Sequence, residues 1–238
     1  MGRQRAEREV KAVRRRIMSW RLFLIRHGMT EGNREKRYIG KTDEGLCDEG
    51  RRMLERRKAA GEYPEADLVF VSPMRRCLET AEVLYPGQEP VVVEEFRECD
   101  FGLFEGKNYR ELTGNVHYQA WIDSGGTLPF PEGESRGAFQ DRCCAGLVRM
   151  AGICAEWERA EEKKGTGRRE LRSACVVHGG TVMALLERFG TEGGDYYSYQ
   201  CGSGQGYRCV AGGSPEEIGK GEIELSCIQP LVFSQDLS

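Results

Sequence analysis

Leu22-Phe23-Leu24-Ile25-Arg26-His27-Gly28 is an apolar run that stops abruptly at a guanidinium, an imidazole and a glycine. Trp20–Ile25 reads as a strand buried on both faces, the pattern of a parallel sheet. A core strand has no use for Arg26 and His27, and a turn needs only Gly28. Further along, Ser173–Val177 is again a buried strand, and it ends in His178-Gly179-Gly180-Thr181 ahead of a helix over Val182–Phe189. Asp67–Val71 and Val91–Val93 read as two more buried strands. Between them lies a helix that Ser72 caps, that Pro73 starts and that runs to Leu84. A charged helix fills Asp48–Ala60. Phe139, Cys143, Leu147, Met150, Cys154 and Trp157 mark the apolar stripe of a long helix, and Glu161–Glu170 a charged surface linker. Gly206–Val210 and Glu222–Phe233 read as a terminal hairpin, with Pro230 assigning its second strand to an edge. Strands alternating with helices predict an α/β fold, a three-layer α/β/α sandwich around a mostly parallel sheet. Ligands of such sheets bind at the carboxyl ends of the strands. His27 and His178 are therefore expected to meet over one crevice.

The bulk composition narrows the function. The chain has 238 residues and a net charge of -3 from 35 basic and 38 acidic residues, a balance that argues against nucleic-acid binding. No stretch is apolar for long enough to cross a bilayer. The ten cysteines form no CxxC pair and no regular framework, so they read as reduced thiols of a cytoplasmic protein. His27, His117 and His178 have no second ligand at a zinc-like spacing, and neither metal nor cofactor is expected. His117 reads as a surface residue. Residues 1–19 are a basic extension, in which Ala6, Val10, Val13 and Ile17 fall at roughly helical spacing. Residues 20–238 read as one domain.

The candidate chemistry is attack on a phosphate monoester. Such a dianion needs fixed positive groups on its oxygens, and arginine meets two oxygens at once. A neutral imidazole is a competent nucleophile when its other nitrogen is held as a donor. The leaving alkoxide needs an acid, which a buried carboxyl supplies. His27 is the candidate nucleophile, and Arg26 and Arg76 are the clamps, with the N-terminus of the Ser72-Pro73 helix adding donors. His178 and Asn33 are further phosphate ligands, Gly179 gives close backbone approach, and Glu98 is the proton donor and later the base.

These residues carry a resemblance. Leu24-Ile25-Arg26-His27-Gly28-Met29-Thr30 with Asn33 resembles the signature of the histidine phosphatase superfamily, in its phosphoglycerate mutase-like branch. Ser72-Pro73-Met74-Arg75-Arg76-Cys77 resembles the second-arginine motif, which places the role on Arg76 rather than Arg75. Arg97-Glu98-Cys99-Asp100-Phe101-Gly102 resembles the acid loop, and Val177-His178-Gly179-Gly180 the second-histidine motif. The resemblance spans about residues 20–211. It implies a phosphohistidine on His27, phosphate binding by Arg26, Asn33, Arg76 and His178, acid–base work by Glu98, and no metal. It also implies a small helical lid between Glu98 and His178. Met29 stands where many members carry Glu or Gln. Cys47 stands where Ser or Thr usually caps a helix, which shifts the expected cap to Asp48.

Tyr118-Gln119-Ala120-Trp121 and Pro131-Glu132-Gly133-Glu134-Ser135 are more similar to bacterial α-ribazole phosphatases and broad-specificity phosphatases than to mutases. The resemblance thus implies hydrolysis of a small phosphorylated metabolite, with α-ribazole 5′-phosphate of cobalamin biosynthesis as the first candidate. A 2,3-bisphosphoglycerate-dependent phosphoglycerate mutase and a non-catalytic phospho-ligand binder are the alternatives. The expected assembly is a monomer or homodimer.

Overall fold

In the computed structural model, which describes residues 18–165 and 170–233, the apolar run lies in β1 (Met18–Arg26), inside a six-stranded sheet. The other strands are β2 (Leu68–Val71), β3 (Val91–Val92), β4 (Arg172–Val177), β5 (Gly206–Gly213) and β6 (Glu224–Pro230). Their order is β3-β2-β4-β1-β5-β6. β3, β2, β4 and β1 run parallel, while β5 and β6 add an antiparallel pair with β6 at the edge. The sheet is therefore mixed, with its parallel part at the site-bearing strands.

Alternation along β1 explains the two helical layers. Trp20, Leu22 and Leu24 share one core with Leu147, Met150 and Cys154 of α5 (Arg136–Lys163) and Leu185 of α6 (Gly179–Phe189). Phe23 and Ile25 share the other with Leu54 of α2 (Asp48–Ala59) and Cys77, Ala81 and Leu84 of α3 (Arg75–Leu84). Leu22 to Ile25 are all buried because each face of β1 meets a helix. The short helices α1 (Glu31–Arg34), α4 (Val116–Asp123) and α7 (Pro215–Gly219) complete the described α-helices.

Several boundaries differ from the sequence reading. β1 begins at Met18, ahead of Trp20, and α6 begins at Gly179, ahead of Val182. The stripe helix α5 runs on to Lys163, into the segment read as a linker. The expected N-terminal helix lies outside the described residues. Two caps are corrected. Ser72 and Pro73 do not start α3, which begins at Arg75 behind Met74, a cap with no side-chain bond. The Ser72 hydroxyl oxygen makes its short contact with His178, at 2.7 Å, and accepts from the Met74 N–H only at 3.4 Å. Asp48 does not cap α2; Cys47 does, its Sγ accepting from the Gly50 N–H at 3.3 Å. Asp48 follows in the first turn, where its charge suits the helix dipole.

Candidate active site

Parallel pairing of β1 with β4 sets Arg26 beside Val177, so the residues that follow each strand leave the sheet together. The His27 N–H donates to the Val177 carbonyl at 2.9 Å. The imidazoles of His27 and His178 meet edge to face, with ring centroids 5.3 Å apart. Both are buried.

The two rings are held differently. His27 Nδ1 lies 2.7 Å from the Gly28 carbonyl oxygen, which only accepts, so Nδ1 carries the proton and Nε2 keeps its lone pair. Burial, then the charges of Arg76 and Arg26, push the His27 pKa well below its ordinary value, against the opposing Gly28 carbonyl. His178 has the other tautomer. Arg76 Nε–H donates to its Nδ1 at 3.3 Å, leaving Nε2–H to donate to Ser72 Oγ. Burial, then Arg76 and His27, hold His178 well below the ordinary range as well. Both rings are neutral in the free site.

Arg76 sits in the first turn of α3 and is almost fully buried. Burying an ion costs several kcal/mol unless polar partners offset it. Here the partners are carbonyl oxygens: Thr42 at 2.9 Å, Gly40 at 3.2 Å and Ile39 at 3.3 Å. Glu105 fixes that loop by accepting from the N–H groups of Gly40 and Thr42, each at 2.9 Å. Thr80 accepts from the Gly28 N–H at 2.9 Å and donates to the Arg76 carbonyl at 2.7 Å, tying nucleophile loop to clamp helix. The α3 N-terminus itself is partly spent, because the Arg75 N–H donates to Asp43 at 2.7 Å.

Arg26 donates through Nη1 to the Cys201 carbonyl at 2.7 Å, while its Nε is buried with no hydrogen-bond partner. A buried, unmet N–H beside a second guanidinium is a standing demand for an anion. His178 is the extended N-cap of α6 and makes no side-chain cap bond, so the first-turn N–H groups of α6 point at the same place.

Glu98 follows a 3-10 turn, Glu94–Phe96, and its side chain is only 11% exposed. Oε1 accepts from the Cys99 N–H at 2.9 Å, and Oε2 lies 3.8 Å from His178 Nδ1. Burial raises its pKa, opposed by Arg76, the Cys99 N–H and Arg26. Gly180 makes room for it: a Cβ there would lie 2.9 Å from Oε1, and 3.2 Å from the Phe139 ring.

The structure thus brings together Arg26, His27, Arg76, Glu98, His178 and Gly179. Asn33 lies in α1, where its Oδ1 is engaged at the helix start and its Nδ2 amide remains a donor. It closes a capping box in α1, with Oδ1 accepting from the Thr30 N–H at 3.3 Å, and among the described residues it makes no hydrogen bond to the histidine pair. His117 is exposed, as its context suggested. Beside Glu98 opens a cleft of about 540 Å³, lined by Lys41, Met74, Arg97, Asp100, Glu134 and Arg142 among others. In α4, Tyr118 and Trp121 stack on each other at 6.4 Å, and both meet Tyr38 edge to face.

The sequence profile of the histidine phosphatase superfamily (branch 1) matches residues 22–203. The chain belongs to that superfamily. It is an enzyme of phosphoryl transfer. It is 30% identical to the glucosyl-3-phosphoglycerate phosphatase of Mycolicibacterium vanbaalenii, over 69% of this chain and 72% of that one. The crystal structure of a phosphoglycerate mutase from Thermus thermophilus superposes with a TM-score of 0.56 at 29% identity, covering 80% of this chain and 91% of that one. The α-ribazole phosphatase of Shigella flexneri shares the fold, with a TM-score of 0.62 at 23% identity, covering 80% of this chain and 89% of that one.

In this histidine phosphatase, the supporting roles of four residues escape the sequence reading: Ser72, Glu105, Gly180 and Arg142. Ser72 carries a signal, a serine at a strand end, but one that a helix cap explains equally well. Glu105 and Arg142 act on backbone carbonyls and amides far away in sequence, which no local pattern marks.

The buried histidines also predict a pH effect on stability. The unfolded chain binds protons at both rings near pH 6.5, while the folded chain does not until well below it. Glu98 opposes this with one proton, since its folded pKa is raised. Two rings outweigh one carboxyl, so the free histidine phosphatase loses stability as pH falls below about 6.5. Thermal melts between neutral and mildly acidic pH check this: Tm falls, and a flat or rising Tm contradicts neutral buried rings.

Proposed function

We propose that this histidine phosphatase hydrolyses a small phosphomonoester through a phosphohistidine on His27. The reading rests on one observation: a neutral imidazole with its Nε2 lone pair free, beside the buried Arg76 guanidinium, the buried, unmet Nε–H of Arg26 and a protonatable carboxyl.

The phosphoryl group sits between Arg26, Arg76 and the N-terminus of α6. His27 Nε2 attacks phosphorus, the P–O bond to the leaving alcohol breaks, and the Glu98 carboxyl gives its proton to the departing oxygen. Water then attacks the phosphohistidine. Glu98, now a carboxylate, takes a proton from that water, the P–N bond breaks, and inorganic phosphate leaves. The dianion reverses the local field at His178, which favours a proton on Nδ1 and turns that nitrogen into a phosphate donor. The positive charge that stabilises the transition state comes from the two arginines.

The leaving alcohol is accommodated in the cleft beside Glu98. α-Ribazole 5′-phosphate is the first candidate, supported by the resemblance that Tyr118-Gln119-Ala120-Trp121 carries and by the shared fold of the Shigella flexneri α-ribazole phosphatase. Phosphoglycerate mutase activity is the second reading, because one structural relative at 29% identity carries that name.

The test is turnover of p-nitrophenyl phosphate and of a phosphometabolite panel that includes α-ribazole 5′-phosphate, with and without EDTA. Expected are EDTA-resistant release of phosphate and an acid-labile phosphoprotein. Conversion of 3-phosphoglycerate to 2-phosphoglycerate, dependent on 2,3-bisphosphoglycerate, would favour the mutase. Phosphate binding with no turnover on the whole panel would leave only a ligand binder.

A further inference from the structure

Glu98 stands on an irregular loop, where its own residues offer little to fix it. The fixing comes from α5. Arg142 projects its guanidinium into the loop backbone, and Nη1 donates to the carbonyls of Glu95 and Arg97, both at 2.8 Å. Nη2 lies 3.5 Å from the carbonyl of Glu98 itself. The remaining edge forms a two-pronged pair with Glu134, Nε to Oε1 at 3.1 Å and Nη2 to Oε2 at 2.7 Å. Glu134 in turn joins the far side of the loop. Its N–H donates to the Asp100 carbonyl at 2.9 Å, and its Oε2 lies 3.4 Å from the Asp100 N–H. Residues 95, 97, 98 and 100 are thus held by one ion pair that touches neither histidine. The pair is largely screened from solvent, with side-chain exposures of 28% and 17%.

We infer that Arg142, locked by Glu134, is a positioning residue for the acid–base step, setting both the place of the Glu98 carboxyl and the charge around it. The inference rests on Glu98 acting as acid and base as proposed above. A rigid fork on the carbonyls of Glu95, Arg97 and Glu98 sets a backbone more sharply than a point charge would, so arginine and lysine are not equivalent here. The guanidinium also acts through space, as one of the positive charges that oppose the upward shift of Glu98.

The charged groups facing Glu98 are Arg76 from α3, Arg26 from β1 and Arg142 from α5, and His178 at the end of β4 faces it as a neutral, titratable ring. The neutral groups are the thiols of Cys77, Cys99 and Cys143 and the Tyr196 phenol. Burial pushes all four upward, out of the neutral range. Removing the Arg142 charge therefore raises the Glu98 pKa with no thiol or phenol taking over the titration. The step that needs Glu98 as carboxylate, hydrolysis of the phosphohistidine, then requires a higher pH.

The experiment compares the full-length wild type with Arg142→Gln and Arg142→Lys. Steady-state kinetics on an alkyl phosphate are measured across pH, alongside acid-labile phosphoprotein from p-nitrophenyl phosphate. Arg142→Gln is expected to lower kcat by roughly 10- to 100-fold, as a misplaced group of this kind does. The acidic limb of kcat moves to higher pH, and phosphoprotein still forms. Arg142→Lys restores the position of the limb because the charge returns, but not the full kcat, because the fork is gone. A limb unmoved in Arg142→Gln, with a loss explained by a smaller folded fraction in thermal melts, overturns the inference. So does full recovery of kcat by lysine. If the wild type itself forms no phosphoprotein, the functional reading fails, and that outcome is distinct from either result.

Discussion

Alanine in place of His27 is expected to lower turnover by a factor on the order of 10⁴ or more, the scale seen when a nucleophile is removed from an intact catalytic unit. His27 is the imidazole whose Nε2 is left as an acceptor, because Nδ1 donates to the Gly28 carbonyl. No neighbour duplicates it: His178 commits Nε2 to Ser72 and turns Nδ1 toward Arg76. The loss should fall on chemistry and not on binding. Arg76 is held by the carbonyls of residues 39, 40 and 42, and Arg26 by that of Cys201, none of which depends on the His27 side chain. Binding of inorganic phosphate to His27→Ala, read by calorimetry, should therefore stay within a few-fold of wild type, while the acid-labile phosphoprotein disappears. Undiminished turnover in this variant would remove His27 as nucleophile. Loss of phosphate binding together with turnover would point to a collapsed cradle.

Glu98→Gln carries the second large effect, and its signature is a split between substrates. Glutamine keeps the shape of the side chain and can still accept from the Cys99 N–H, but it has no proton to give or take. General acid–base catalysis contributes about 10²–10⁴-fold, so turnover of an alkyl phosphate should fall by that range. p-Nitrophenolate leaves without protonation. With that substrate the first step survives in Glu98→Gln, and the slow step becomes hydrolysis of the phosphohistidine. Rapid-quench measurements should show phosphoprotein accumulating above the wild-type level. Equal losses on both substrates, with no accumulation, would exclude Glu98 from proton transfer.

The parts of the site that are legible in the sequence are those placed by regular structure. Buried strands that end in Arg26-His27 and in Val177-His178 can face each other only if they are parallel neighbours, and β1 and β4 are. Arg76 is legible for the same reason, sitting one residue into a helix that follows a third buried strand. What is not legible depends on side chains reaching backbone groups across the fold. A serine before a proline is an ordinary helix start, and only the three-dimensional proximity of His178 diverts the Ser72 hydroxyl from that use. Asn33 has a second, local use that its place in the motif does not announce: its carbonyl oxygen closes the first turn of α1, while its Nδ2 stays a donor. Cys47 is a poor cap by residue type because sulfur is a weak acceptor, yet geometry leaves its Sγ on the Gly50 N–H. Arg142 lies on α5, 44 positions beyond the carboxyl it supports, and nothing in the apolar stripe of that helix marks it.

The anchoring of Arg76 by main-chain oxygens has a consequence for how such an enzyme can diversify. Every amino acid carries a carbonyl, so the grip on the phosphate-binding guanidinium constrains the loop's side chains only where packing does, as at Gly40, where a Cβ would collide with the Cys99 carbonyl oxygen. Lys41 lies between two of the anchoring positions and also lines the mouth of the cleft. Evolution is therefore free to exchange it, and to retune which alcohols are welcomed, while the machinery that handles the phosphoryl group stays fixed.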